Sequence, residues 1–342
     1  MKTNYKVAFM APKQPALIEW DMPEVGDDDV LVKTELSLIS TGTELTVLER
    51  NVEEGTPWAD SLMNYPIYHT GYSSAGRIVE VGKNVSPDVI GRRIFTDARH
   101  QSYYTINLKN EEAYVWIPEN VSSRDATVAT LGCVANASVR ESRIAPGEAC
   151  VVYGAGIVGQ MVARLAKLAG STKIFVADIS DFRLNLIPDD PCFIKINSAK
   201  ESVPEVVKAN TRWGKGVPFV FEVTSVPSLA QEQLTCLKEC GKLIVTSSPK
   251  GRSLIDLDYC SRNGLSIIGA HNWTSHASRE NNHCFWTRHN DTVHMIDLMD
   301  KNLLSLDSLF THEYHYKDAP AAYEMLMKDR SQAMCVVINW ED

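Results

Sequence analysis

Along roughly the first third of the chain, apolar and polar residues alternate in short runs. Val30-Leu31-Val32-Lys33-Thr34-Glu35-Leu36 and Gly76-Arg77-Ile78-Val79-Glu80-Val81-Gly82 are bounded by turn residues and predict half-buried strands. Gly91–Phe95 and Tyr114–Ile117 continue the pattern, which describes a compact, barrel-like β domain. Near residue 148 the pattern changes. Uninterrupted apolar runs at Ala149–Tyr153, Lys173–Asp178, Cys192–Ile196, Pro218–Val223, Lys242–Ser248 and Leu265–Ala270 alternate with helical periods. Gln160–Ala169 carries Met161, Val162, Leu165, Ala166 and Leu168 on one face and stops at Gly170. Pro227 opens a second helix, expected to run through Leu234 and Leu237 to Gly241. Strands apolar on both faces, separated by helices, predict a parallel sheet covered on both sides, and six of them make a doubly wound dinucleotide fold. The tail returns to a mixed pattern: helices near Asp291–Asp300 and Asp318–Arg330, strands near Phe310–Tyr316 and Ala333–Trp340. It is expected to pack back on the first domain.

Composition narrows the partners. A chain of 342 residues with 44% hydrophobic content supports about two domains. A net charge of −9 disfavours nucleic acid and anionic membranes as partners. There is no signal-peptide pattern and no run of 18 apolar residues, so a soluble cytoplasmic protein is expected. The cysteines, Cys133, Cys150, Cys192, Cys236, Cys240, Cys260, Cys284 and Cys335, form no C-x-x-C pair and are read as reduced.

The sharpest motif is Val151-Val152-Tyr153-Gly154-Ala155-Gly156-Ile157-Val158-Gly159. It follows a predicted strand and opens a predicted helix, the context in which a G-x-G-x-x-G string carries meaning. Gly154 serves the tight turn, Gly156 the approach of a pyrophosphate, and Gly159 the close packing of helix on strand. The first turn, with Ile157 and Val158, presents unpaired N–H groups to phosphate. Asp178 ends the next strand, where an acid hydrogen-bonds the adenosine ribose and repels a 2′-phosphate. NAD is therefore expected over NADP, with nearby Arg183 weakening the preference. Val223, Thr224, Ser247 and Ala270 end later strands at the carboxyl edge and complete the expected cofactor contacts.

With these residues in place, the chain resembles the medium-chain dehydrogenase/reductase superfamily, the alcohol and polyol dehydrogenase relatives. Besides the cofactor loop, Gly241-Lys242-Leu243-Ile244-Val245 resembles its fifth-strand entry, and Asp318-Ala319-Pro320-Ala321-Ala322-Tyr323-Glu324 its closing helix. The resemblance implies a GroES-like catalytic domain at residues 1–131 and 272–342 and a Rossmann domain at 132–271. A homodimer is also implied, pairing through the edge near Leu265–Ala270. Thr41-Gly42-Thr43-Glu44 stands where zinc members read C-G-T-D, and Gly71-Tyr72-Ser73-Ser74-Ala75-Gly76 where they read G-H-E-x-x-G. The metal-binding cysteine is thus replaced by Thr41 and the histidine by Tyr72; the third ligand aligns near Thr130. Hydroxyls are poor zinc ligands beside thiolate or imidazole, and Cys133, close to the third position, stands alone. The departures look most like a zinc-free branch that includes a bacteriochlorophyllide dehydrogenase.

Without a metal, protein hydroxyls must stabilise the reacting oxygen. By resemblance Thr43 is the first relay group. Tyr72 is expected to act as proton donor, with Thr41 orienting substrate and His69 tuning Tyr72. Glu44, His271, Asn272 and Trp273 are the substrate-side candidates. Each has a structural reading too. Thr41 and Thr43 are suited to capping a turn. Tyr72 is suited to filling space, Glu44 to bonding backbone, and His69 and His271 to a loop surface. His276, His283, His289 and His294, with Cys284, match no metal-binding spacing. Trp273 and Trp286 are suited to stacking on a sugar ring or to packing in the core.

The reading is a zinc-independent, NAD(H)-dependent oxidoreductase that interconverts a polar secondary alcohol, such as a sugar, glycoside or cyclitol, and its ketone. Reduction of an activated C=C bond in an enone or quinone is an alternative. A non-catalytic cofactor-binding sensor is another.

Overall fold

The computed structural model describes residues 3–271, 275–277 and 285–342. Asn272, Trp273, His283 and Cys284 lie outside them. The chain divides into two compact units. The first comprises Met1–Asn51, Ser61–Thr130 and His289–Asp342; the second comprises Val52–Asp60 and Leu131–Arg288.

In the second unit six strands form one parallel sheet. The spatial order is Phe193–Asn197, Lys173–Asp178, Ala149–Tyr153, Val217–Glu222, Leu237–Val245, Ser266–Gly269. The order reverses between Ala149–Tyr153 and Val217–Glu222, the switch point at which a crevice opens beyond the carboxyl ends. Val151, Val152, Phe175, Val176, Val220 and Phe221 have no exposed surface, because helices cover both faces. Burying a side chain of that size contributes about 1.5–3 kcal/mol. The helix Ile157–Leu168 buries Met161, Val162, Leu165 and Ala166 against the sheet.

The segment after Pro227 departs from the expected single helix. Pro227–Leu229 is a short 3-10 turn, Ala230–Thr235 is helical, and Leu237 already pairs with Val217 as strand. Leu234 and Leu237 are spaced like helix neighbours, but Leu237 is buried by strand pairing instead. Cys240, at φ +59°, lies within the irregular start of that strand.

The first unit is built on a mixed sheet ordered Phe310–His315, Cys335–Asn339, Asp29–Leu38, Ser74–Val81, Arg93–Thr96, Val115–Trp116. Tyr103–Asn107 also pairs with Asp29–Leu38. The tail strand Cys335–Asn339 runs antiparallel to Asp29–Leu38. A hairpin, Asn4–Ala11 with Gln14–Trp20, packs against the helix Ala319–Lys328. Their shared core holds Val7, Phe9, Leu45, Leu48, Tyr323, Val336 and Trp340. No helix among the described residues is long and apolar enough to cross a membrane. The described cysteines are free thiols, with Cys133, Cys150, Cys236 and Cys335 buried.

Candidate active site

The glycine-rich loop of the second unit is built as its residue types require. Gly154 sits at φ +102° and donates its N–H to the Ala177 carbonyl at 2.7 Å. Gly156 precedes the helix, and a Cβ there meets nothing within 4 Å; the open space is what a phosphate group needs. Gly159 is the opposite case: a Cβ would lie 1.8 Å from the Gly154 carbonyl oxygen. Ile157 and Val158 form the first helical turn.

Asp178 closes its strand with the carboxylate held from two sides. Oδ2 accepts from the Ala155 N–H at 2.7 Å, and Oδ1 accepts from the Ser180 N–H at 2.9 Å. The acid is thereby fixed beside the loop it is expected to serve. Arg183 Nη1 is 3.9 Å from Oδ2, close enough to offset part of the acid's charge.

Glu222, which the sequence reading passed over, organises the carboxyl edge. It is buried at the end of Val217–Glu222. Oε1 accepts from the Thr224 N–H at 2.7 Å, the Thr224 hydroxyl at 2.6 Å and the Ser225 N–H at 3.0 Å. Oε2 accepts from the Ser247 hydroxyl. One carboxylate therefore joins two of the loops expected to meet the cofactor. The available signal was an acid ending an otherwise apolar strand. Val223 donates to the Tyr153 carbonyl and Ala270 to the Val245 carbonyl, each at 2.9 Å; His271 is exposed. Cys133 is not alone: its Sγ lies 3.7 Å from His276 Nε2. The Trp286 ring stacks beneath the Arg140 guanidinium at 4.2 Å.

In the first unit two of the replaced positions, Tyr72 and Thr130, make hydroxyl hydrogen bonds that form a small network with Ser40 and Asp97. Tyr72 donates its phenol proton to Ser40 Oγ, and Thr43, the first residue of the helix Thr43–Glu49, is near enough to lower the phenol's pKa. Burial pushes the Tyr72 phenol up to about 12 against the pull of Ser40 and Thr43, with Glu44 and Asp97 adding to the rise. Thr130 Oγ1 lies 3.3 Å from the Tyr72 carbonyl oxygen and 2.9 Å from Asp97 Oδ1. Thr43 is exposed and Thr41 half-buried. The helix shows no side-chain cap, so the capping alternative for these threonines finds no bond to rest on.

Glu44 lies behind this network. It is 4% exposed, and its oxygens accept from the Ser40 N–H at 2.8 Å and the Tyr323 hydroxyl at 2.5 Å. They also face His100 Nε2 at 3.1 Å. Its carboxylate is therefore occupied by protein groups. His100 completes a buried chain through Ser37 Oγ at 2.8 Å to Trp340 Nε1, also at 2.8 Å. His69, expected to tune Tyr72, is instead exposed and set among Lys6 and Arg99. The imidazole joined to the Tyr72 surroundings is His100, which stands 56 residues from Glu44 and so carries no spacing signal.

The donor sets can be tested against the expected groups. The open space at Gly156, the helix start and Asp178 fit a dinucleotide. Thr41, Tyr72 and Thr130 offer neutral hydroxyls, which do not fit zinc at those positions.

Comparison with known proteins agrees with the fold. The model of the zinc-binding dehydrogenase family matches residues 158–285. An L-threonine 3-dehydrogenase of Burkholderia multivorans is 25% identical over 346 residues, covering 93% of this chain and 94% of its own. Among solved structures, an Escherichia coli oxidoreductase/dehydrogenase of unknown specificity superposes with a TM-score of 0.80 at 20% identity, covering 99% of both chains. The 2R,3R-butanediol dehydrogenase of Bacillus subtilis gives 0.79 at 18%, covering 98% of this chain and 99% of its own. By its glycine loop and Asp178, its six-stranded sheet order and its full-length likeness to these dehydrogenases, the chain is similar to the medium-chain dehydrogenase/reductase superfamily and shares its fold.

Proposed function

We propose that the protein is an NAD(H)-dependent oxidoreductase that interconverts a polar secondary alcohol and its ketone without a zinc ion. The observation that carries the reading is Tyr72, a buried phenol bonded to Ser40 beside Thr43; by the sequence resemblance this is the position where zinc members place a metal-binding histidine. A bound nicotinamide dinucleotide would supply or accept the hydride, held by the Gly154–Gly159 loop, Asp178, and the Thr224 and Ser247 loops. Tyr72, its phenol raised to about 12, keeps its proton at neutral pH yet remains a stronger acid than an aliphatic alcohol. It can therefore hydrogen-bond a ketone oxygen and give up its proton as negative charge develops there. Ser40 and Thr43 then turn their hydroxyls toward the phenolate. Thr43, being exposed, returns a proton from solvent. Thr41 orients the substrate oxygen.

The L-threonine 3-dehydrogenase and butanediol dehydrogenase relatives act, by name, on secondary alcohols, which supports the same bond class here. NAD is favoured over NADP because the Asp178 carboxylate repels a 2′-phosphate. Two further properties belong to this reading: a cytoplasmic setting, and a homodimer formed by pairing of the sheet-edge strand Ser266–Gly269, where Ile267 is 45% exposed.

The test is consumption of NADH with a panel of hydroxy ketones, keto sugars, enones and quinones, in buffer with chelator and then with added zinc. Ketone reduction that persists in chelator is expected. Turnover of enones alone supports C=C reduction instead, and tight NADH binding without turnover supports a sensor. Stoichiometric metal in active enzyme overturns the zinc-free part, for which Cys133 and His276 would be the first donors to examine.

A further inference from the structure

The hairpin register places Lys6 opposite Ile18 and Asn4 opposite Trp20, so Lys6 and Trp20 share one face while Tyr5 and Glu19 share the other. Lys6 is 4% exposed, and its Nζ lies 4.5 Å from the centre of the Trp20 ring. Trp20 is 41% exposed and packs on Tyr68 at 5.3 Å. Arg99, also exposed, reaches the same region and gives one Nη1 bond to the Gly71 carbonyl at 2.8 Å. Among the described residues no carboxylate forms an ion pair with Lys6 or Arg99.

Burial and the Arg99 charge both press the Lys6 ammonium below its ordinary range, and burial, with the Lys6 and Arg99 charges adding, lowers His69 likewise. A buried ammonium without a counter-ion is retained against stability. Contact with an indole face offsets only part of that cost. Two cations beside an exposed indole and a half-buried phenol, with no ion-paired acid among the described residues, leave the counter-charge to a ligand.

We propose that Lys6 and Arg99, with Trp20 and Tyr68, form an oxyanion subsite that takes the carboxylate or phosphate of an organic ligand whose body lies against the exposed indole. His69 and Arg99 flank Gly71-Tyr72 and tie the subsite to the first unit's hydroxyl network. The subsite therefore gives the substrate of the proposed reaction an anionic group, and in that respect it rests on the reading above.

Calorimetric titration without coenzyme separates the two ideas. Phenyl phosphate and benzoate are the probes, with benzyl alcohol as the neutral counterpart. At least one anion is expected to bind, and Lys6→Met or Arg99→Gln weakens that binding about tenfold or more, as loss of a charge-assisted contact should. Benzyl alcohol shows no such dependence. The preferred probe distinguishes phosphate from carboxylate. Arg99 is exposed, so Arg99→Gln remains informative even where Lys6→Met fails to fold. Equal affinity in wild type and Arg99→Gln, or no binding of either anion by wild type, overturns the subsite. With NADH present, the same variants are expected to raise KM for keto acids or keto sugar phosphates while sparing kcat and neutral ketones. An equal effect on neutral ketones overturns the link to substrate. Anion binding in an enzyme that turns over no ketone would sink the proposed reaction while leaving the subsite standing.

Discussion

Glu44 Oε2 lies 3.1 Å from His100 Nε2, and both side chains are buried. Both side chains have further partners: Ser40 and Tyr323 on the carboxylate, Ser37 on the other imidazole nitrogen. Ser40 also accepts the Tyr72 phenol, so Glu44 and that phenol share one hydrogen-bond partner. Removing one partner of a buried pair leaves the others unsatisfied, so Glu44→Ala should cost about 3–5 kcal/mol of stability. Glu44→Gln keeps an acceptor for Ser40 and should cost less. Urea denaturation of the three proteins checks the order; equal midpoints would mean that the pair stabilises nothing.

The same imidazole explains a glycine. Gly71 sits at φ +77°, and a Cβ there would lie 2.5 Å from His100 Cδ2. Gly71→Ala is thus strained twice, by its backbone and by a ring already fixed at both nitrogens. It should lose stability and, by turning Tyr72, lose turnover as well. His100→Ala is itself destabilising because it leaves Glu44 unpaired, but in that background the added cost of Gly71→Ala should be smaller, since the collision is gone. Thermal melts of the single and double variants test this, and an undiminished melting temperature for Gly71→Ala argues against the collision.

Tyr72→Phe removes the acid and little else. Turnover in ketone reduction should fall roughly ten- to a thousandfold, with NADH affinity nearly unchanged. The raised phenol also predicts a pH dependence. Up to about pH 10 the phenol is protonated both in the folded protein and in the unfolded chain. Between about 10 and the folded value of about 12 only the unfolded chain ionises, so stability contributed below that window is lost as pH rises through it. Tyr104 and Tyr323, also raised by burial, act in the same direction. Alkaline unfolding should therefore begin near pH 10 and be slightly less steep in Tyr72→Phe. A wild-type turnover number in that variant would remove Tyr72 from the chemistry.

The sequence made the cofactor half legible for a physical reason. Strands buried on both faces must be apolar throughout, and the loop between the first strand and helix must be glycine. Ala149–Tyr153 and Lys173–Asp178 fall where the apolar runs predict. Period alone misled after Pro227, because an apolar pair three apart suits a helix face or two separate elements equally well. The network around Tyr72 was half legible. Resemblance pointed to Thr41, Thr43 and Tyr72, but Glu44, His100 and Tyr323 are joined across 56 and 279 residues by tertiary packing alone. His69 was the nearer histidine in sequence, yet it is exposed, and the imidazole that bonds Glu44 is His100. Glu222 was hidden because a buried acid looks like an isolated polar residue until its four hydrogen bonds are seen.

The two later glycines of the phosphate loop separate folding from binding. At Gly156 an added methyl meets no protein atom within 4 Å, so Gly156→Ala should fold with an unchanged melting temperature. The space it fills is where a pyrophosphate must approach, so NADH affinity should drop about tenfold or more. At Gly159 the methyl would sit 1.8 Å from the Gly154 carbonyl oxygen, backbone that cannot yield without parting helix from strand. Gly159→Ala should therefore destabilise the whole second unit, by more than the usual 0.5–3 kcal/mol of a single substitution. Fluorescence titration with NADH, set beside thermal melts of both variants, tests the contrast. A Gly156→Ala protein that binds NADH as tightly as wild type would show that the loop does not hold a dinucleotide, and the hydride chemistry argued for Tyr72 would lose its donor.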